Sequence, residues 1–368
     1  MTEDQLLLII IFIVTFLLSS QLSYAQPDLK TIIPPSPTLA SLGKYGDIPI
    51  SNYTGSAGVS VPIHSISTGD FTLNISLNYH GVGVKVEEIA SWTGLGWNLT
   101  GASAGITRQL RGLPDENGYM LPTGTKVADV MNLNGHDRDE YLKTAVNTSP
   151  VDLEPDIFNY NIGDISGKFY YSQEQNDFIT LPRDAIYIDK EYFTTTGKWR
   201  LIAKNGTEYI FEQAEWTISA TQCNGQGGPA SSSPATGWFL SKIITPVRKR
   251  EINFYYQSAN YSIDNIASHT KYSSPTFSLP PCVDPIGKKC DSQTEYFTFR
   301  LASISYDNGK IEFESVMERL DVPGDRRLDK IKVYLGNETT PSKVIDLNYG
   351  YFNENLITQN LPGWEFGN

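Results

Sequence analysis

One string in this chain matches a catalytic signature, Gly101-Ala102-Ser103-Ala104-Gly105. A G-x-S-x-G sequence in an α/β-hydrolase puts a nucleophilic serine on a strand-to-helix elbow, beside backbone N–H groups that stabilise an oxyanion. The flanks here do not supply the elbow. A Gly- and Trp-rich stretch precedes the string, and Arg111-Gly112-Leu113-Pro114 would end any helix within about three turns. His136 and His269 are available as bases, but availability is not geometry. The string therefore predicts a glycine-bearing turn between strands, no catalytic residue is assigned, and a serine hydrolase is kept only as an alternative.

Other candidates are carboxylates and aromatic rings. Asp115-Glu116-Asn117-Gly118 and Asp137-Arg138-Asp139-Glu140 gather hard oxygen ligands of the kind Ca²⁺ takes, yet neither has D-x-[DN]-x-[DN]-G spacing. Solvated loop charge is the expectation, with no metal and no cofactor. Glu87-Glu88 cannot flank one glycosidic bond, because neighbours on a strand point to opposite faces. Trp92 and Trp97 can stack on a sugar if exposed, so a carbohydrate-binding β module with a polysaccharide partner is a second alternative. Rings in a β-rich chain are more often core. Of Cys223, Cys282 and Cys290, an odd set that leaves a thiol over, Cys282 and Cys290 flank a turn-forming stretch and can close a small loop by a disulfide. No CxxC or HxxxH spacing suggests zinc.

The elements that must position these residues read as strands. With 21 Tyr, 16 Phe, 6 Trp and 30 Gly against 19% charged residues, the chain uses what a pleated, turn-rich architecture uses. A net charge of −12 repels phosphate backbones, and no basic stretch exceeds Val247-Arg248-Lys249-Arg250, so nucleic acid is not an expected partner. Phe71, Leu73, Ile75, Leu77 and Tyr79 alternate with Thr72, Asn74, Ser76 and Asn78, the pattern of a half-buried strand. Val59–Ile63, Val82–Val86, Gly167–Tyr171, Tyr296–Tyr306, Lys310–Phe313, Lys330–Tyr334 and Val344–Tyr349 have the same character. Asn205-Gly206 predicts a hairpin between Trp199–Ala203 and Thr207–Phe211, and a second joins Trp238–Ile244 to Glu251–Tyr256. The fold class expected is all-β, a multi-sheet antiparallel assembly, sandwich-like or shell-forming, with loop excursions.

Along the chain, Leu6–Leu18 is an apolar run of signal-peptide length, followed by a more polar stretch that ends Ser23-Tyr24-Ala25, although the n-region Met1–Gln5 is acidic. Residues 1–25 are read as a signal peptide and 26–40, with Pro27, Pro34, Pro35 and Pro37, as an extended linker. No second apolar run of that length follows, so no membrane span is expected after cleavage. Residues 41–112 read as an N-terminal β region and 113–150 as an excursion with a helical piece around Lys126–Leu133. Residues 151–368 read as a second β region, with mobile loops at Asn224–Ser233 and Ser273–Pro285.

Several stretches resemble the N-terminal region of large YD-repeat (Rhs-like) exported proteins of the Bacteroidetes type. They are Ser41–Pro49, Tyr79-His80, Gly83–Glu88, Ala90-Ser91-Trp92-Thr93-Gly94-Leu95-Gly96-Trp97, Ile106-Thr107-Arg108 and Arg111–Asp115. Glu154-Pro155-Asp156-Ile157-Phe158, Ser166–Phe169 and Arg327–Ile331 fit the same pattern, and the Trp-Thr-Gly-Leu-Gly-Trp block is the most specific. The resemblance implies a cell-surface or extracellular protein whose β-rich N-terminal region precedes an array of YD repeats that forms a large β shell. Only Ser305-Tyr306-Asp307-Asn308-Gly309-Lys310 looks like a repeat here, and one copy makes no array, so a truncation before the array is expected. The expected function is a non-catalytic structural or interaction region. Its partner would be the remainder of the larger protein or a neighbouring chain.

Overall fold

The computed structural model of the chain describes residues 57–69, 71–81, 88–121, 126–148, 152–163, 165–223, 226–227, 231–232, 234–270 and 288–351. The signal peptide, the linker, the strand expected at Val82–Val86, the loop Ser273–Pro285 and Cys282 lie outside them.

The strands are β1 (Ala57–Ser67), β2 (Thr72–Gly81), β3 (Trp97–Thr100), β4 (Gly105–Gln109), β5 (Ile157–Ile162), β6 (Ile165–Ser172), β7 (Asp177–Leu181), β8 (Tyr187–Ile188) and β9 (Trp199–Ile202). They continue with β10 (Glu208–Cys223), β11 (Gln226–Gly227), β12 (Ser231–Ser232), β13 (Gly237–Ile244), β14 (Glu251–Thr270), β15 (Lys288–Tyr306), β16 (Gly309–Val316), β17 (Arg327–Leu335) and β18 (Lys343–Asp346). All named pairings are antiparallel, as an all-β, multi-sheet assembly requires. Strands β1, β2 and β3 form a small sheet, and the others a large one whose main path runs β18-β17-β16-β15-β10-β13-β4-β5-β6-β7.

The alternating pattern of β2 does what its chemistry dictates: Ile75 and Leu77 are buried, while Thr72 and Asn74 face water. The Asn205-Gly206 hairpin pairs Glu208 with Ile202 and Phe211 with Trp199, and Gly206 takes a φ of +84° that favours glycine. The second expected hairpin pairs Lys242 with Asn253. The helical piece expected around Lys126–Leu133 is the short helix Val127–Met131, and a longer helix follows at Gly135–Thr148, so Asp137-Arg138-Asp139-Glu140 lies on a helix and not in a loop. Glycine and asparagine signals at 132–135 end the first helix and hide the second.

The two β regions read on either side of residues 113–150 are not separate. Strand β4, from the first, lies between β5 and β13 of the second and pairs with both. Sequence-distant strands share one sheet because Ile106, Phe158 and Trp238 bury their side chains in one core. At the centre of that core Phe193 stacks on Trp199 at 3.9 Å and Phe158 on Phe169 at 5.1 Å, with Trp238 edge-on to Trp199. Phe193 is delivered by the helix Lys190–Thr196. The Asp189 carboxylate accepts the Tyr192 N–H at 3.0 Å to start it, and Gly197 at φ +68° stops it.

The cysteine pairing differs from the expectation. Cys290 bonds Cys223, not Cys282. It lies inside β15, directly opposite Cys223 on β10, so strand register decides the partner and the short loop does not. Beyond Thr298 this part of the sheet has no buried side chain other than Cys290: Trp216 to Cys223 and Asp291 to Phe297 are exposed or half-buried among the described positions. The outer arm is held by its ladder and its disulfide.

Candidate functional site

Ser103 is exposed on the turn that joins β3 to β4, and a strand follows it where a hydrolase elbow has a helix. The turn is fixed by its glycine. Gly101 has φ +82°, and a Cβ there would lie 2.0 Å from the Asn74 carbonyl oxygen of β2.

The Trp-Thr-Gly-Leu-Gly-Trp block is a loop bonded to itself. Both Ser91 Oγ and Thr93 Oγ1 donate to the Trp97 carbonyl, at 2.6 and 2.9 Å. Gly96 has φ +73° and lets the Tyr79 ring approach, where a Cβ would meet it at 2.8 Å. Trp97 leans on that ring at 5.3 Å. The Trp92 carbonyl accepts the Leu328 N–H at 2.9 Å, tying the loop to β17. Both tryptophans are half-buried and packed against the core, so they serve the packing that β-rich chains ask of such rings. Trp92 also borders a cleft of about 410 Å³ with Ile106, Trp238, Tyr256 and Arg300.

The densest chemistry is a charge cluster that sequence patterning does not single out. In β4, Ile106 and Arg108 both face inward, and the Arg108 side chain is only 1% exposed. A charge at an inward position must be paired. Arg108 Nε donates to Asp156 Oδ2 at 2.7 Å, Nη2 to the same atom, and Nη1 and Nη2 to Glu116 at 2.9 and 2.6 Å. Asp156 also accepts the N–H groups of Arg111 and Asp115, at 2.7 and 3.2 Å. Asp115 accepts the Asp156 N–H at 2.9 Å on Oδ1. Far from being solvated loop charge, Asp115 is 0% exposed, on a single 3-10 turn that spans Asp115–Asn117. Burial pushes its carboxyl up to about 7, with Asp156 and Asp152 adding repulsion against the pull of Arg108 and of the Asp156 N–H. Burial also raises Asp152. The inward place of Arg108 in an otherwise alternating strand was the available signal. What it could not supply was the partner, 48 residues away.

A second buried group joins Arg319 to Asp325 at 2.6 Å and to the Ala90 carbonyl at 2.7 Å, while Arg300 reaches Asp325 at 3.0 Å. Among the described residues no three His, Cys, Asp or Glu side chains converge to hold a metal ion, and no helix is long and apolar enough to cross a membrane. Of the imagined Glu87-Glu88 pair, Glu88 is exposed and Glu87 lies outside the described residues.

A cavity of about 1060 Å³ is walled by Tyr119, Met120, Tyr171, Phe193 and Trp238 and edged by Lys190. The repeat-like hairpin puts Tyr306 opposite Gly309 between β15 and β16; Tyr306 Oη lies 3.0 Å from His64 Nε2 of the small sheet, and Asp307 pairs with Arg250 at 3.1 Å. No family model matches the chain, and no curated protein matches it.

Proposed function

We propose that this chain is a non-catalytic structural and interaction region of a large exported YD-repeat (Rhs-like) protein, displayed at the cell surface or outside the cell. What supports this most is the meander β15-β16-β17-β18, in which each strand pairs with the next in sequence and β18 pairs on one side only among the described residues. A meander with an open edge is the form to which further hairpins of a repeat array add by main-chain hydrogen bonds. The repeat-like Tyr306–Gly309 turn opens that meander. The residues that carry the resemblance are joining residues too: Arg108 to Asp156, Trp92 to Leu328. Their work is burial and pairing.

The test is co-expression of the full chain with a YD-repeat array in one bacterial host, followed by hydrogen exchange of the β18 amides. Co-purification with slowed exchange at Lys343–Asp346 is the expected result. An array that does not bind, or binds with those amides unchanged, overturns the proposal. Fractionation of the same cells checks export, with a mature N-terminus at Gln26 expected.

A further inference from the structure

The Arg108 cluster has more negative groups than its one guanidinium can answer. Every nitrogen of Arg108 is spent on Asp156 and Glu116. That leaves Asp115 and Asp152, 0% and 4% exposed, each with its Oδ2 buried and without a hydrogen-bond partner. Another cation of this region, Arg111, pairs at 3.2 Å with Glu154 in a largely exposed bridge. Tyr119, whose phenol is pushed up by burial and then by Asp115, brings no positive charge. Each carboxylate has a backbone N–H on Oδ1 but a buried, unpaired Oδ2, and a proton on one of those oxygens relieves the repulsion between the two.

The position of Asp115 gives that proton a consequence. The Asp115 carbonyl accepts the N–H groups of Gly118 and Met120, at 3.2 and 2.8 Å, and the Leu121 N–H reaches the Gly118 carbonyl at 3.2 Å. This short shelf carries Tyr119 and Met120 into the wall of the 1060 Å³ cavity. It is moored to the sheet by Asp115, by Glu116 on Arg108, and by Gln173 Nε2 donating to the Tyr119 carbonyl at 2.9 Å.

We propose that Asp115 is a proton-operated latch: protonated at Oδ2, it keeps the shelf Asp115–Leu121 seated against the sheet, and losing that proton loosens the shelf from the cavity wall. Deprotonation leaves Asp115 and Asp152 as like charges beside Asp156, all three buried, and the shelf, whose Glu116 side chain already faces water, is the part that retreats. The window follows from the elevated carboxyl, about 7, so the change falls between pH 6 and 8.

The experiment is hydrogen exchange of the full chain at several pH values, corrected for intrinsic exchange, read on peptides covering Gly118–Leu121. Protection of those amides is expected to fall at least tenfold from pH 6 to 8 in the natural chain and to stay level in Asp115→Asn, which keeps shape and cannot ionise. If Asp115→Asn does not fold, Asp152→Asn is the second variant, and it should move the midpoint to lower pH, because the Asp152 charge is one of those that hold the proton on Asp115. A level profile in the natural chain, or an equal step in Asp115→Asn, overturns the latch; so does an Asp152→Asn midpoint identical to the natural one.

Discussion

Arg108 and Asp156 form an ion pair that water hardly reaches, with side chains 1% and 0% exposed, and it closes β4 onto the segment entering β5. Arg108 also lies over the Phe158 ring, 5.4 Å from its centroid. Removing one member of such a pair strands the other, which costs about 3–5 kcal/mol. Arg108→Ala is expected to lose that much by urea denaturation. Arg108→Lys should recover only part, because one ammonium cannot reproduce the fork to Asp156 and Glu116.

The Cys223–Cys290 bond closes a span of 67 residues around an arm with almost no buried side chain. Cys223→Ser should cost about 2–4 kcal/mol and speed exchange in Trp216–Cys223 and Asp291–Phe297 before it is felt near Trp199. Peptide mapping without reductant should return Cys223 joined to Cys290. Recovery of Cys282 joined to Cys290 would contradict the register of β10 and β15.

Gly101→Ala forces a Cβ against the Asn74 carbonyl at a left-handed φ, and a loss of about 1–3 kcal/mol is expected in thermal melts. Ser103→Ala, two residues on and exposed, should change stability by less than about 0.5 kcal/mol. A fluorophosphonate probe is expected to leave Ser103 unlabelled; stoichiometric labelling would revive the hydrolase alternative.

Asp115 makes stability depend on pH with a definite sign. Its folded value, about 7, is above the ordinary 3.8, so between those values the folded chain holds a proton that the unfolded chain has released. Stability therefore falls as pH rises from about 4 to about 7, by up to about 4 kcal/mol for a shift of this size, and levels off above. Asp115→Asn should remove that slope and be the more stable protein at pH 8. His64 runs the other way: burial, then nearby Lys343, lower its value, so its contribution is present above pH 6.5 and is lost as pH falls below. Denaturation of His64→Gln beside Asp115→Asn separates the two.

Local pattern alone determined much of this protein. Alternation marked β2, Asn205-Gly206 marked its hairpin, and the abundance of Tyr, Phe and Gly marked an antiparallel all-β chain, because strand period and turn dihedrals are set by neighbouring residues. The same pattern held the clue to Arg108, an inward charge in β4, but not the identity of its partner. Tertiary structure decided which distant strands share an edge. It placed β4 between β5 and β13, brought Cys290 opposite Cys223 instead of Cys282, and turned Asp115 from an expected loop charge into a buried acid. Those outcomes depend on which surfaces exclude water together, and that is a property of the packed sheet, not of any stretch of sequence.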